Sequence, residues 1–317
     1  MQLILNGEFD AKRLTAIKKN ILAALAYFDL FDYPLTSTEI GLFLREKYEQ
    51  AAFNEALKYA VLEGAIYRFG KFYSLKNDHH LVFRRNEGNR RAAELIKVAH
   101  GIGELLIRFP YVRGIAISGS LSKNYADEYS DIDLFIITAK NRLWIARSFM
   151  HAFKKLTFLL NKQDYFCMNY YIDEAGLEIK EKTVYTATEV VTLIPLQGDT
   201  IFEQFYAANT WTQQYLPNKI MRISSAKAVE YFVFKRFVEA IFNNALGNWL
   251  DSMLMKITDN RWNKKTVLRK TNQKGMVMAM AAGKHYAKPG TGGFHMELLK
   301  RYEDKLLKLL WKYNNNL

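Results

Sequence analysis

Leu14, Ile17, Ile21, Leu25 and Phe28 recur at the spacing of one buried helix face. Pro34 interrupts that pattern, and Thr36 with Glu39 forms a capping box that predicts a second helix. Ala52 to Glu63 reads as a third helix, stopped by Gly64. Ile66-Tyr67-Arg68-Phe69-Gly70-Lys71-Phe72-Tyr73 then predicts a hairpin turning at its glycine. Residues 78–108 return to a helical pattern carrying a basic cluster of Arg84, Arg85, Arg90 and Arg91. The adjacent His79 and His80 cannot share a helix face as paired metal ligands would, so they read as surface residues.

The periodicity changes in the middle of the chain. A β-branched run, Ile115-Ala116-Ile117, leads into a small-residue turn at Gly119-Ser120. After a polar loop, Asp131 and Asp133 alternate with Ile132, Leu134, Ile136 and Ile137. In a strand, residues i and i+2 point the same way, so the two carboxylates are expected on one face while Ile132 and Leu134 turn to the core. Asn141 is expected to cap a helix over Arg142 to Leu160, and the apolar run Tyr165 to Ile172 to form the next strand. Helix and strands alternate here, the order of a mixed α/β sheet.

From Thr186 onward the chain reads as helical. Thr200 with Glu203 suggests another capping box, and Ser224-Ser225 a cap for a long helix toward Lys256. Val229, Phe232, Val233, Phe237, Ala240, Ile241 and Leu250 describe its core-facing stripe. Met276, Met278 and Met280 read as packing residues, and Lys284 to Phe294 as a mobile loop without P-loop order. Met296 to Tyr313 predicts a final amphipathic, basic helix.

The expected fold is therefore α+β in three parts. An N-terminal module spans 1–80, a central mixed-sheet domain 81–185 with a leading helix over 81–109, and a mostly helical basic domain 186–317. The first part, three helices and a hairpin, resembles a winged-helix module. Its third helix carries two Glu and one Lys, which suits a structural or protein-contact role better than reading DNA.

Composition narrows the class. Half of the 317 residues are hydrophobic, enough for a core, and no apolar run approaches a membrane span. The single cysteine, Cys167, lies in an apolar run and reads as a buried small hydrophobe, and with no internal disulfide available a cytoplasmic location is expected. The net charge of +13 is uneven: from Pro217 to Leu317 there are 19 Lys and Arg against 7 Asp and Glu. That asymmetry, with Trp262, Tyr286, Trp311 and Tyr313 among the lysines, suits a polyanion such as RNA.

Only one stretch names a chemistry. Two carboxylates side by side repel unless a cation neutralises them, and hard oxygen ligands of this kind suit Mg²⁺ paired with substrate phosphates. A lone Asp-x-Asp is ordinarily a solvated edge or turn, but Gly-Ser ten residues before it, with apolar strands on both sides, points to a metal-and-phosphate site.

Gly119, Ser120, Asp131 and Asp133 resemble the signature of the DNA polymerase β-like nucleotidyltransferase superfamily, over roughly residues 110–175. The resemblance implies that Gly-Ser ends a strand and opens a helix that holds the phosphates of a nucleoside triphosphate, helix N-termini favouring anions. It implies that Asp131 and Asp133 are the catalytic pair and hold two Mg²⁺ ions, with Lys123 and Ser130 assisting from the loop. It implies transfer of a nucleoside monophosphate from an NTP such as ATP to an acceptor hydroxyl, releasing pyrophosphate.

The chain departs from the pattern at a third carboxylate expected on the strand Tyr165 to Ile172. Its central polar residue is Asn169, an amide that ligates Mg²⁺ weakly and takes no proton. Asp164 and Asp173 flank that strand and Glu178 follows it, so Asn169 or Asp164 stands as the third position. A transferase acting on RNA, a small molecule or a protein is the first expectation. A weak or inactive nucleotide sensor or DNA-binding regulator on the same fold is the second, and an antitoxin-like partner of another protein the third.

Overall fold

A computed structural model of the chain describes residues 2–158, 167–219, 226–229, 232–268, 278–291 and 293–315. Asp164, Ser224, Ser225 and Met276, singled out above, lie outside the described residues.

The N-terminal part runs α1 (Gln2–Asp29), β1 (Leu35–Thr36), α2 (Ser37–Leu42), α3 (Gln50–Leu62), β2 (Tyr67–Phe69) and β3 (Phe72–Ser74). Its strands make an antiparallel sheet in the order β1-β3-β2. Thr36 and Glu39 form the expected reciprocal cap on α2, and Gly70 supplies the positive φ at the hairpin tip. Ile17, Ile21, Leu25 and Phe28 are buried in one cluster with Leu35, Phe53 and Leu57.

Helix α4 (His80–Leu106) leads into a six-stranded mixed sheet of order β7-β4-β5-β6-β9-β8. Its strands are β4 (Val112–Ile117), β5 (Asp133–Thr138), β6 (Cys167–Asp173), β7 (Ile194–Gln197), β8 (Met278–Ala282) and β9 (Tyr286–Thr291). β5 and β6 are parallel, joined through α5 (Leu143–Phe158), and the other neighbours are antiparallel. Alternation sends Ile115, Ile117, Leu134 and Ile136 to a core shared with α4, α5 and α9 (Ala245–Val267). It sends Ala116, Phe135 and Ile137 to a second core against α6 (Val184–Thr192) and α7 (Asp199–Ala208).

The helical reading beyond Thr186 misses β7, β8 and β9. These strands are short or joined through glycine-rich sequence, so they show little period of their own and are specified by pairing with β4 and β6. The segment expected as a mobile loop is thus largely β9, in the sheet beside β6.

Three other expectations are corrected. Asn141 does not cap α5: Asp251 of α9 does, its Oδ1 accepting from Trp144 N at 2.8 Å and Ile145 N at 2.9 Å. Thr200 lies inside α7, whose N-cap is Gly198, so no box forms with Glu203. The single long helix toward Lys256 is instead α8 (Val233–Phe242) and α9, divided at Asn243 and Asn244, and Asn244 caps α9. The apolar stripe of α8 also faces outward, with Val233 84% and Phe237 63% exposed. Its inner face holds Lys235, whose Nζ donates to Ile107 O and Val112 O, and Glu239, paired with Arg113 at 2.8 Å. Periodicity identifies an apolar face but not which way tertiary contacts turn it.

Arg85 is likewise no surface cation. It is buried, 2.6 Å from Glu39 and stacked over Tyr33 and Phe72, and so ties α4 to the N-terminal part. Helix α10 (Phe294–Asn315) returns to α1, placing Leu298 and Tyr302 in the same core. Among the described residues no helix is long and apolar enough to cross a membrane.

Candidate functional site

The Gly-Ser turn lies where β4 leaves β5. Ser118 N donates to Asp133 O at 2.9 Å, and Gly119 follows with φ +67°. A Cβ on Gly119 would run into the Asp133 carboxylate, so the turn needs glycine both for its left-handed backbone and for this close approach. Ser120 is exposed and caps a three-residue 3-10 helix, Leu121–Lys123, so the helix the resemblance implied is a single short turn. Ser122 Oγ donates to Gly119 O at 2.8 Å, and Asn124 closes the turn at φ +61°. α4 and the N-terminal part brace the loop: Ala126 N donates to Gly88 O, and Tyr33 OH donates to Lys123 O at 2.9 Å.

Asp133 opens β5 on the face of Phe135 and Ile137, while Ile132 and Leu134 are fully buried on the other side. Across the sheet its register partner is Cys167. A bulge follows, with Leu134 opposite Met168 but Phe135 opposite Tyr170. The extra residue is Asn169, whose Nδ2 donates to Asp133 Oδ1. The strand position expected to carry a third acid therefore reaches Asp133 with an amide.

Cys167 is half-buried rather than buried, and its thiol is pushed up to about 12, by burial first and then by the Asp133 and Asp131 carboxylates. Both aspartates thus act on one point at the start of β6. Asp131 is half-buried and makes no hydrogen bond to a described residue.

Two cavities share Gly119, Asp133, Tyr185 and Glu189 in their walls. The smaller, about 220 Å³, lies over β5 and β6, with Phe135, Tyr170, Val190 and Phe205 as apolar walls and Asn169, Lys288 and His295 as polar ones. The larger, about 420 Å³, is lined by Ser120, Lys123 and Tyr125 of the motif loop, by Phe28, Phe31 and Tyr33 of the N-terminal part, and by Arg84. Lys123 Nζ bonds Gly119 O at 3.0 Å and Glu189 Oε1 at 2.8 Å. Burial, and then the Lys288 charge 3.2 Å from its Nδ1, holds His295 below its ordinary pKa. Tyr185 stacks on His295 at 4.5 Å, and burial followed by Glu189 raises its phenol above the ordinary range.

Asp173, Glu178 and the loop serine lie apart from these walls, although Asp127 lines the larger cavity. Ser130 Oγ bonds Asp127 Oδ1 at 2.7 Å and accepts from Asp127 N, making it a brace of its own turn. Asp173 sits at the far end of β6, fully buried, accepting from Asn141 N, Ala175 N and His285. Glu178 pairs with Lys182 at 2.6 Å. Glu189, Tyr185, Lys288 and His295 were not legible as site residues. They belong to elements with no motif, and only packing over β5 and β6 brings them to Asp133.

Among the described residues no three His, Cys, Asp or Glu side chains converge as a complete metal cage. The donors present still fit Mg²⁺, because that ion is commonly held by one or two carboxylates with waters and substrate phosphates completing its shell. Asp133 lines both cavities, and Asp131 stands two residues before it, outside the walls of either.

No curated protein and no solved structure matches the chain. A family model described as nucleotidyltransferase domain matches residues 102–197, a span from the end of α4 through β7 that includes Gly119, Ser120, Asp131, Asp133, Asn169 and Glu189. Residues 102–197 thus match a nucleotidyltransferase domain, consistent with the DNA polymerase β-like superfamily that the Gly-Ser and Asp-x-Asp residues resemble.

Proposed function

We propose that the protein is a Mg²⁺-dependent nucleotidyltransferase that moves a nucleoside monophosphate from an NTP to an acceptor hydroxyl and releases pyrophosphate. The observation that carries this reading is the contact between the Gly119 turn and the Asp133 carboxylate, with cavities on either side. It sets the backbone of the Gly119 turn against a hard oxygen ligand in a wall common to both cavities.

In this reading Asp131 and Asp133 hold the metal, and Gly119, Ser120 and Lys123 face the phosphates. Bound Mg²⁺ supplies charge neutralisation to the phosphates and lowers the barrier to attack at the α-phosphorus. Asn169 orients Asp133 by donating to its Oδ1. Phe28, Phe31, Tyr33 and Tyr125 offer aromatic walls for a base in the larger cavity, and the smaller one over β6 takes the acceptor side. The chain's own residues therefore act mainly by positioning, which supplies most of the rate in phosphoryl-group chemistry.

The acceptor class stays with RNA ahead of a small molecule or protein, on the basic C-terminal third alone. A cytoplasmic site of action follows from the same sequence reading as before. Purified protein with Mg²⁺ and labelled NTPs, offered total RNA, should release pyrophosphate and label the RNA, and Asp131→Ala or Asp133→Ala should abolish both. Binding of Mg²⁺-NTP without turnover across RNA, small-molecule and protein acceptors would overturn it.

One observation favours a second reading, a nucleotide sensor of low activity: the amide of Asn169 stands where a third acid is expected. The helix, strand, helix, helix, hairpin order of the N-terminal part supports the winged-helix-like reading that goes with it. The exposed face of α3 carries Glu55 and Lys58, which suits a protein contact better than DNA.

A further inference from the structure

Lys123 stands in the motif loop where a phosphate-binding cation belongs, yet its ammonium is already engaged. Its Nζ lies 2.8 Å from Glu189 Oε1, and the two side chains are only 17% and 26% exposed. Both residues line the larger cavity together with Gly119, Ser120 and Asp133. Glu189 is also a wall of the smaller cavity, so it is a second carboxylate, besides Asp133, common to both.

We propose that the Lys123–Glu189 pair is a latch opened by nucleotide: Glu189 holds the lysine in the nucleotide-free protein, and the triphosphate takes it. This rests on the nucleotidyltransferase reading above.

The two partners differ in freedom. Glu189 sits on α6, whose start is fixed by a reciprocal Thr183–Thr186 cap and whose Val190 and Val191 are buried. Lys123 ends a short turn and carries a flexible four-carbon stem, so the lysine is the side that moves. The exchange is electrostatically matched. A half-buried carboxylate or ammonium without a partner is costly, so in the empty cavity each stabilises the other. An incoming triphosphate presents more negative charge than Glu189 and binds a cation that offsets the carboxylate left behind. Tyr27 and Tyr185 keep their phenol protons, through burial first and the Glu189 charge next, so neither of these neighbours adds a charge of its own beside the freed carboxylate. Glu189 is thus a positioning residue that acts on the nucleotide through Lys123.

The test is calorimetric binding of Mg²⁺ with α,β-methylene ATP, which needs no acceptor. Glu189→Gln should bind about tenfold more tightly than wild type, since the competitor for the lysine is removed. Lys123→Met should bind about tenfold more weakly, and Lys123→Gln should agree with it, because both remove the charge while only one is apolar. In the Lys123→Met background the tightening from Glu189→Gln should shrink to about threefold or less, because only relief of repulsion remains. The latch is overturned if Lys123→Met and Lys123→Gln leave affinity within twofold, or if Glu189→Gln tightens binding equally in both backgrounds. Absence of analogue binding by the wild-type protein at millimolar concentration would instead overturn the nucleotide reading itself, and the latch with it.

Discussion

The two ends of the parallel pair β5–β6 each carry an aspartate, and their surroundings are opposite. At the Thr138 end, Asp173 is fully buried and satisfied by Asn141 N, Ala175 N and His285, which fix the corner after β6 to the loop before α5. At the other end, Asp133 takes the Asn169 amide and still faces two cavities. An acid whose lone pairs are spent on backbone N–H groups holds the fold, whereas one that faces a cavity is available to a ligand. Six residues of strand, on the order of 20 Å, separate the two.

The largest effect that would sharpen this contrast is on turnover. Asp133→Asn should lower NTP-dependent pyrophosphate release by about 10³-fold, ~4 kcal/mol of transition-state stabilisation, while the urea midpoint stays close to wild type. An equal loss of stability would erase the distinction between the two ends. Asp173→Ala should do the reverse. Leaving two part-buried N–H groups and His285 without their acceptor should cost ~3 kcal/mol in urea unfolding, with affinity for a nucleotide analogue retained in the folded fraction.

A smaller effect is expected at Gly119. Gly119→Ala meets both a positive φ and the Asp133 carboxylate, so it should cost ~2 kcal/mol in stability and weaken analogue binding together. A stable variant with full binding would show that the turn does not press on Asp133.

The smallest effect belongs to Asp251, buried at the start of α5. Burial pushes its carboxyl up from 3.8 to about 6. Between those values the folded protein binds its proton more tightly than the unfolded chain, so stability falls as pH rises from about 4 to about 6. Asp251→Asn keeps an acceptor oxygen for Trp144 N and Ile145 N and removes the titration. Its stability should lose that downward slope, by ~1 kcal/mol or more across the window, in urea titrations at fixed pH steps.

Much of the candidate site's geometry was legible because it is local. Gly119-Ser120 and Asp131/Asp133 stand within one strand–turn–strand passage, where period-two alternation alone places Asp133 opposite Ile132 and Leu134. The Thr36–Glu39 cap and the Gly70 hairpin were legible for the same reason. Illegible were partners that meet from afar: Asp251 capping α5 in place of Asn141, Glu189 holding Lys123, and Lys288 and His295 arriving on β9 and α10. Asn169 was visible as an amide, but its reach to Asp133 depends on a bulge that no alternation shows.

By itself the sequence determined the two core faces of β4 and β5, the turn between them and the pair of carboxylates, since hydrophobic alternation, glycine φ and short-range capping act over a few residues. Only the tertiary structure decided which acids are spent and which face space. It also turned the apolar stripe of α8 outward and brought α6, β9 and α10 to Asp133. Those outcomes depend on which surfaces bury each other across tens to more than a hundred residues, and no local pattern carries that.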